Sequence, residues 1–248
     1  MIQYKIYGNK FNPTIIFLHG EDYVYTFARQ RELMKNYHLV VPHLPGFGEA
    51  VKEEFNTDKA VEQLIELAED IGMPCTLVGF SLGAQLCLPL ICKRPDLFNG
   101  AIMISPWLLK NVQDIEKALR HISDNEGKMK NPISINLSAI ALGLTGEDKR
   151  LHTEYCTKQN VNNLAAAADN GIDLENYPEY SKLEMPIMAL CGLKEEMEIR
   201  NSVRALCQRN HNCTYDMWDG AGHNLPYKCA SRLNKVIDEF MEKVRKSK

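Results

Sequence analysis

Short apolar segments alternate with longer amphipathic segments along most of the chain. Apolar or β-branched runs that predict strands occur at residues 14–18, 38–42, 75–80, 101–105, 186–191 and 214–218. Apolar residues at helical spacing predict helices over residues 25–37, 57–71, 82–93, 198–209 and 230–243. Continuous apolar strands that alternate with helices indicate a parallel sheet with helices on both faces. The pattern therefore predicts an α/β fold, whose functional site is expected at the carboxyl ends of the strands.

One long segment, residues 107–182, interrupts this alternation. It contains helical patterns at residues 115–122 and 162–168 and no convincing strand. A loop of this length without structure is rare in a compact domain. We therefore predict a core domain of residues 1–106 and 183–248 and a helical lid of residues 107–182. Apolar lid residues are expected either to pack against the core or to line a pocket: Leu108, Leu109, Ile133, Ile135, Leu137, Ile140, Leu142 and Leu144.

The composition narrows the classes of partner. The 248-residue chain has a formal net charge of -3, with 45% hydrophobic and 25% charged residues. This balance is ordinary for a globular protein and offers no basic face for nucleic acid. No stretch reaches the about 18 apolar residues of a membrane helix, and the N-terminus lacks the apolar core of a signal peptide. We expect a cytoplasmic protein without nucleic-acid or membrane partners, either a monomer or a homodimer.

The cysteines do not form a recognisable metal or redox motif. They lie at positions 75, 87, 92, 156, 191, 207, 213 and 229. None forms a Cys-x-x-Cys pair or lies beside histidines at zinc-finger spacing. Several are in apolar runs, which is typical of buried reduced thiols in a reducing cytosol. We expect no metal site and no cofactor.

The strongest local motif lies between the third predicted strand and the helix after it. Residues 79–83 read Gly-Phe-Ser-Leu-Gly, a Gly-x-Ser-x-Gly pattern typical of a sharp turn that exposes a serine nucleophile. The glycines leave room for neighbouring backbone. The hydroxyl of Ser81 then projects at the helix N-terminus, where the N–H of Leu82 can stabilise an oxyanion. We predict that Ser81 is the nucleophile; a purely structural turn is the alternative.

A serine nucleophile needs a base, and His223 is the best candidate. It follows the last predicted strand, and small neighbours leave its ring accessible. His19 ends a strand and is expected to structure the loop there. The other histidines are predicted to lie near surface turns or helices: His38, His43, His121, His152 and His211.

The base in turn needs a carboxylate that orients its ring. In this chain order the acid is expected between the serine and the histidine. Glu195 and Glu196 both follow the strand at residues 186–191, and we favour Glu195. Asp219 is too close to His223 along the chain. A solvated loop position is the alternative for either glutamate.

A second oxyanion donor is expected from the loop after the first strand. The N–H of Glu21, which follows His19 and Gly20, fits this position. The carboxylate of Glu21 would then have to point away from the developing negative charge.

With these motifs the sequence resembles the α/β-hydrolase superfamily, above all its small lid-bearing members. The matching positions follow the family's order over nearly the whole chain: residues 18–20, 45–48, 79–83, 192, 195 and 222–223. The resemblance implies a mostly parallel sheet with helices on both faces and a helical lid insertion. It also implies a catalytic triad of Ser81, His223 and Glu195, with backbone N–H groups of Glu21 and Leu82 as the oxyanion hole.

The chain departs from the family pattern at three positions. His43 stands where the family usually has Asp, and Ala50 stands where it has Ser or His. The triad acid is more often Asp than Glu. Relatives that open epoxides or remove halides use an aspartate nucleophile, so Ser81 argues against both reactions.

These observations predict a serine hydrolase that resembles carboxylesterases. Its substrate would be a small carboxylic ester or thioester, cleaved through an acyl-enzyme. Carbon–carbon bond hydrolysis and perhydrolysis in the same pocket are the alternatives. Because fold does not fix function, a non-catalytic receptor for a small ligand is an alternative of another class.

Overall fold

A computed structural model describes residues 2–21 and 23–246 of the chain. Its strands are β1 Gln3–Tyr7, β2 Thr14–Leu18, β3 His38–His43, β4 Cys75–Phe80, β5 Phe98–Ile104, β6 Ile187–Gly192 and β7 Cys213–Trp218. Its α-helices are α1 Thr57–Ile71, α2 Leu82–Lys93, α3 Val112–Met129, α4 Pro132–Leu142, α5 Gly146–Lys158, α6 Val161–Ala168, α7 Met197–Arg209, α8 Leu225–Lys228 and α9 Ala230–Lys246. Short 3-10 helices occupy Ala28–Lys35, Gly48–Ala50, Pro95–Leu97, Leu174–Asn176 and Pro178–Lys182.

The strands form one sheet in the order β1-β3-β2-β4-β5-β6-β7. All neighbouring strands run parallel except β1, which pairs antiparallel with β3 at the edge. The carboxyl ends of β2 to β7 therefore lie along the same edge of the sheet. The predicted α/β fold with a mostly parallel sheet is confirmed.

Alternate residues of the buried strands belong to two separate hydrophobic clusters. Ile16 and Leu18 of β2 pack in the cluster that includes the buried residues of α1, α2 and α7. Ile15 and Phe17 point the other way and join the buried face of α9. Because neighbouring residues of a strand face opposite sides of the sheet, the strands β2 to β6 are covered on both faces, as their continuous apolar sequences predict.

Two segments near the N-terminus differ from the prediction. The predicted helix at residues 25–37 is a series of turns followed by a 3-10 helix from Ala28 to Lys35. Strand β1 was not predicted, because it lies at an edge of the sheet and three of its five residues are exposed. Half-exposed edge strands lack the continuous apolar run that marks buried parallel strands.

The segment between β5 and β6 contains four helices, α3 to α6. The predicted helices at residues 115–122 and 162–168 fall within α3 and α6. Helices α4 and α5 were not predicted. Among the described residues, no helix is long and apolar enough to cross a membrane.

Candidate active site

Ser81 lies in a strained turn between β4 and α2. Its backbone angles are φ 52° and ψ -117°. Residues other than glycine rarely adopt this backbone conformation. A Cβ atom on Gly79 would lie 2.3 Å from the carbonyl oxygen of Gly83, and one on Gly83 would lie 2.0 Å from that of Leu18. Both distances are far below van der Waals contact. The two motif glycines are therefore required for the close approach of backbone around Ser81, as the sequence predicts.

A continuous chain of hydrogen bonds joins Ser81, His223 and Glu195. Nδ1 of His223 lies 2.7 Å from Oε2 of Glu195, and Nε2 lies 3.1 Å from Oγ of Ser81. An ionised carboxylate only accepts hydrogen bonds, so Nδ1 carries the proton and Nε2 accepts from the serine hydroxyl. The ring of His223 also packs against Phe80, with 4.8 Å between ring centroids. The arrangement leaves the Ser81 hydroxyl beside an unprotonated nitrogen.

Glu195 is the carboxylate that contacts His223, and its side chain is fully buried. Its Oε1 atom accepts hydrogen bonds from the hydroxyl of Ser105 at 2.8 Å and from the N–H of Gly192 at 2.7 Å. Glu196 is exposed and precedes the first turn of α7. Asp219 accepts from the N–H of Gly220 instead. Of the candidate acids, only Glu195 meets the histidine.

Close contact between two loops positions Glu195 and His223. The N–H of Lys194 donates to the carbonyl oxygen of Ala221 at 2.9 Å. A Cβ atom on Gly192 would lie 2.2 Å from that same oxygen. Glycine at position 192 therefore lets the loop after β6 pack directly on the loop after β7, which brings the carboxylate to the ring.

Ser105 is a site residue that the sequence did not reveal. It follows β5 directly, is 1% exposed and has a φ of 55°. The described residues have positive φ at two non-glycine positions, Ser81 and Ser105. No motif surrounds Ser105, so the available signal was only its position at the end of a predicted strand beside the Ser81 strand.

The loop after β2 lies beside Ser81 and is held by His19. A Cβ atom on Gly20 would lie 3.4 Å from the Cβ of Ser81. The ring of His19 donates from Nδ1 to the carbonyl oxygen of Gly20 and accepts at Nε2 from the N–H of Leu44, at 2.7 and 3.1 Å. Burial lowers the pKa of His19 to about 3, so the ring stays neutral. His19 structures this loop, as expected.

A cavity of about 410 Å³ opens on Ser81 and His223. Its lining combines apolar and charged side chains from the core and from the segment between β5 and β6. The lining residues are Glu21, Ser81, Gln85, Ser105, Trp107, Asp114, Lys117, Ala118, His121, Ile122, Ala168, Glu196, Glu198, Ile199 and His223. Helix α3 contributes five of these residues. The segment between β5 and β6 thus forms one wall of the cavity.

Glu21 is one of the residues that line the cavity, and the outward direction expected for its carboxylate stays a prediction. The cation of Lys110 lies close enough to Glu21 to interact with it electrostatically. Burial lowers the pKa of Lys110 to about 8, and the charge of Glu21 opposes that shift. Lys110 therefore remains largely protonated at neutral pH and offsets part of the negative charge of Glu21.

The eight apolar residues that we expected either to pack against the core or to line a pocket are not among the residues that line this cavity. Ile133, Leu137 and Ile140 of α4 are exposed, whereas Leu108, Ile135, Leu142 and Leu144 are buried in the protein interior. The apolar cavity wall is instead formed by Trp107, Ala118, Ile122, Ala168 and Ile199. Helical periodicity marks a buried face but does not tell which buried residues border a cavity.

Three other histidines are buried rather than near the surface. His38, His43 and His152 are at most 7% exposed. Burial lowers the pKa of both His43 and His152 to about 4. Among the described residues, no cluster of three His, Cys, Asp or Glu side chains is suited to hold a metal ion. All eight cysteines are free thiols.

The comparisons with known proteins agree with this fold. The alpha/beta hydrolase family model matches residues 15–236. No curated protein matches the sequence. A carboxylesterase of Nitrososphaera gargenis aligns with a TM-score of 0.77 at 15% identity, over 100% of this chain and 96% of that protein.

Two further solved structures are similar over nearly their whole length. An enol-lactonase from Burkholderia xenovorans LB400 has a TM-score of 0.77 at 14% identity, over 97% of this chain and 96% of the lactonase. A thermophilic esterase from Thermogutta terrifontis has a TM-score of 0.72 at 17% identity, over 98% and 93% of the two chains. At such low identity these likenesses concern the fold.

Proposed function

Because the chain belongs to the alpha/beta hydrolase family, we propose that it is a serine hydrolase that cleaves a small carboxylic ester or thioester. The observation that supports this most directly is the hydrogen-bonded chain from Ser81 through His223 to Glu195. This geometry supports the proposed roles of nucleophile, base and orienting acid for the three residues.

In the proposed acylation step, the hydroxyl of Ser81 attacks the substrate carbonyl. Nε2 of His223 takes the hydroxyl proton, and the buried carboxylate of Glu195 stabilises the imidazolium that forms. His223 then donates that proton to the alcohol or thiol leaving group. The remaining acyl group is an ester of Ser81.

The proposed oxyanion hole consists of the backbone N–H groups of Glu21 and Leu82. Leu82 is the first residue of α2, where N–H groups have no acceptor within the helix. The loop that contains Glu21 lies against Ser81 through Gly20. Two N–H donors near the developing oxyanion stabilise charge that exists only in the transition state.

Deacylation reverses the roles of the same groups. His223 removes a proton from water, which attacks the acyl carbonyl, and then returns the proton to Ser81 as the ester bond breaks. The cavity, about 410 Å³ in volume, is of the size typical of small-molecule sites. This volume supports a small acyl substrate, and we propose that the segment of residues 107–182 acts as its lid.

The experiment that tests this proposal is labelling of the full chain with a fluorophosphonate probe, read by peptide mass. We expect modification at Ser81 and loss of labelling in Ser81→Ala and His223→Ala. Ser181→Ala removes an exposed serine far along the chain and is the matched control, which should label like the wild type. Hydrolysis of a butyrate ester and of the matching butyrate thioester of N-acetylcysteamine then ranks the two substrate classes.

Other outcomes favour the alternatives. Ser81 could be labelled while neither the ester nor the thioester is hydrolysed. In that case, cleavage of a β-diketone favours carbon–carbon bond hydrolysis, and formation of a peracid favours perhydrolysis. A folded protein that reacts neither with this probe nor with phenylmethylsulfonyl fluoride contradicts the hydrolase proposal. Such a protein, if it binds a small ligand without turnover, is a receptor.

A further inference from the structure

Two thiols lie unusually close together, away from the cavity. Cys207 is in the last turn of α7, and Cys213 is the first residue of β7. Their Sγ atoms are 2.8 Å apart. A disulfide bond is about 2.05 Å long, so bond formation requires the sulfurs to approach by only about 0.8 Å.

The segment that connects the two cysteines is held by a buried asparagine. The side-chain amide of Asn210 donates to the carbonyl oxygens of Tyr180 and Leu183, at 2.6 and 2.9 Å. Its Oδ1 atom accepts from the N–H of Asn212 at 2.7 Å, and its carbonyl oxygen accepts from the N–H of Cys213 at 3.1 Å. These bonds fix the turn, so the sulfurs are held together before any reaction occurs.

The two thiols are electrostatically different. The hydrogen bond from the Cys207 thiol lowers the pKa of Cys213, against the opposing effect of burial, and Lys243 lowers it further. The same hydrogen bond, together with burial, raises the pKa of Cys207. Thiolates are the reactive form of cysteine, and a thiol that donates to its neighbour's sulfur stabilises the thiolate of that neighbour. Cys207 is half-buried and directly adjacent.

From this geometry we propose that Cys207 and Cys213 form a redox-active dithiol, which hydrogen peroxide converts to an intramolecular disulfide. The thiolate of one cysteine attacks one peroxide oxygen, the O–O bond breaks, and a sulfenic acid and hydroxide form. The sulfur of the other cysteine then attacks the sulfenic sulfur and displaces its oxygen as water. Two thiols and one peroxide thus give one disulfide and two waters.

This site is separate from the proposed hydrolase chemistry. Cys213 begins β7, whereas Ser81 follows the end of β4, and the strands from β4 to β7 are parallel. The dithiol therefore lies at the amino ends of the parallel strands and Ser81 at their carboxyl ends. The disulfide closes a short loop from the end of α7 to the start of β7, so it restrains the unfolded chain and stabilises the native one.

The test treats the full-length protein with stoichiometric hydrogen peroxide and then unfolds it in guanidinium chloride with iodoacetamide, so that buried thiols are also blocked, before proteolysis and peptide mass analysis. We expect one species in which the peptides of Cys207 and Cys213 are linked and have lost two hydrogen atoms, while the other six cysteines are alkylated. The melting temperature should rise by about 4 °C, and dithiothreitol should reverse both changes.

Matched variants separate the linkage from general oxidation. Cys207→Ser should form no linkage and show no peroxide-dependent rise in melting temperature. Cys92→Ser removes a half-buried thiol elsewhere and should behave like the wild type. Recovery of Cys207 and Cys213 as separate alkylated residues after peroxide overturns the proposal. So does sulfinic acid at Cys213 without linkage, or linkage of either residue to a different cysteine.

Discussion

Two serines end two neighbouring strands with similar backbone strain, yet their hydroxyls meet different partners. Ser81 follows β4 with a φ of 52°, and Ser105 follows β5 with a φ of 55°. Each donates its backbone N–H to the next strand of the sheet, Ser81 to Ile104 and Ser105 to Leu190. The hydroxyl of Ser81 faces the ring of His223, whereas that of Ser105 donates to the carboxylate of Glu195.

The comparison shows that the same strained backbone conformation after a strand can orient a serine hydroxyl toward different partners. Strained conformations persist where the surrounding structure enforces them, and they cluster at functional sites. At the end of β4 the strain directs an oxygen toward the cavity and the base. At the end of β5 it directs an oxygen toward a buried carboxylate. In the proposed mechanism the first serine reacts and the second holds the acid in place.

The largest expected effect is that of Ser81→Ala. Without the proposed nucleophile, kcat for a butyrate ester should fall by about 10⁵-fold or more. The melting temperature should stay near that of the wild type, since the methyl group of alanine fits where the serine was. Steady-state kinetics and thermal unfolding check both expectations. A variant that keeps a tenth of the wild-type kcat contradicts the role proposed for Ser81.

Glu195→Gln should have the next largest effect. The amide keeps the size of the side chain but no longer stabilises a charged imidazolium, so kcat should fall by about 10³ to 10⁴-fold. Glu196→Gln is the control at the adjacent position. Glu196 lines the cavity but makes no hydrogen bond to His223, so Glu196→Gln should act mainly on KM and change kcat less than about 3-fold. Equal losses in both variants contradict the choice of Glu195.

Ser105→Ala tests whether the second serine acts through the acid. A hydrogen bond to a charged group contributes about 1.5–3 kcal/mol, and Gly192 still donates to Glu195 in the variant. We therefore expect kcat to fall about 10-fold with KM unchanged. Ser202 is another buried, hydrogen-bonded serine, whose hydroxyl accepts from Leu108 and donates to Glu198. Ser202→Ala should lower stability without this selective loss of kcat.

The smallest expected effects are differences in stability between alanine and glycine variants, which measure the backbone strain at Ser105 and Ser81. Alanine and glycine both remove the hydroxyl, but only glycine adopts a positive φ without cost. Urea unfolding should therefore show Ser105→Gly to be about 1 kcal/mol more stable than Ser105→Ala. The same pair at Ser81 should differ by about 1–3 kcal/mol. If alanine equals glycine at both positions, the serine backbones are not strained, and the comparison between them fails.

The difference between the two serines also explains which residues of the candidate site could be predicted from the sequence. Ser81 was predictable because the turn around it needs glycine at positions 79 and 83, which leaves a pattern in the sequence. The turn at Ser105 does not require glycine at neighbouring positions, so it leaves no pattern in the sequence. Glu195 could be placed after the right strand, but only the packing of the loops after β6 and β7 separates it from Glu196.

The strands and the helices that cover them were predictable for a similar reason. Their apolar residues recur with the period of the element they form, and this gave β2 to β7 and the helices α1, α2, α7 and α9. The helices α4 and α5 have no such clear pattern. Helix α4 has apolar residues on its exposed face as well as on its buried face, because three of its apolar residues are exposed. Helix α5 is mostly charged and polar.

The segment between β5 and β6 has a consequence for how substrate range can diverge. Ser81, Glu195 and His223 all come from loops outside it, whereas helix α3 supplies Asp114, Lys117, Ala118, His121 and Ile122 to the cavity. We therefore expect substitutions on that helix to alter the shape and charge of the cavity while the hydrogen-bonded chain stays in place. If the proposed activity holds, a directed library on α3 should change substrate selectivity more than the rate of the chemical step.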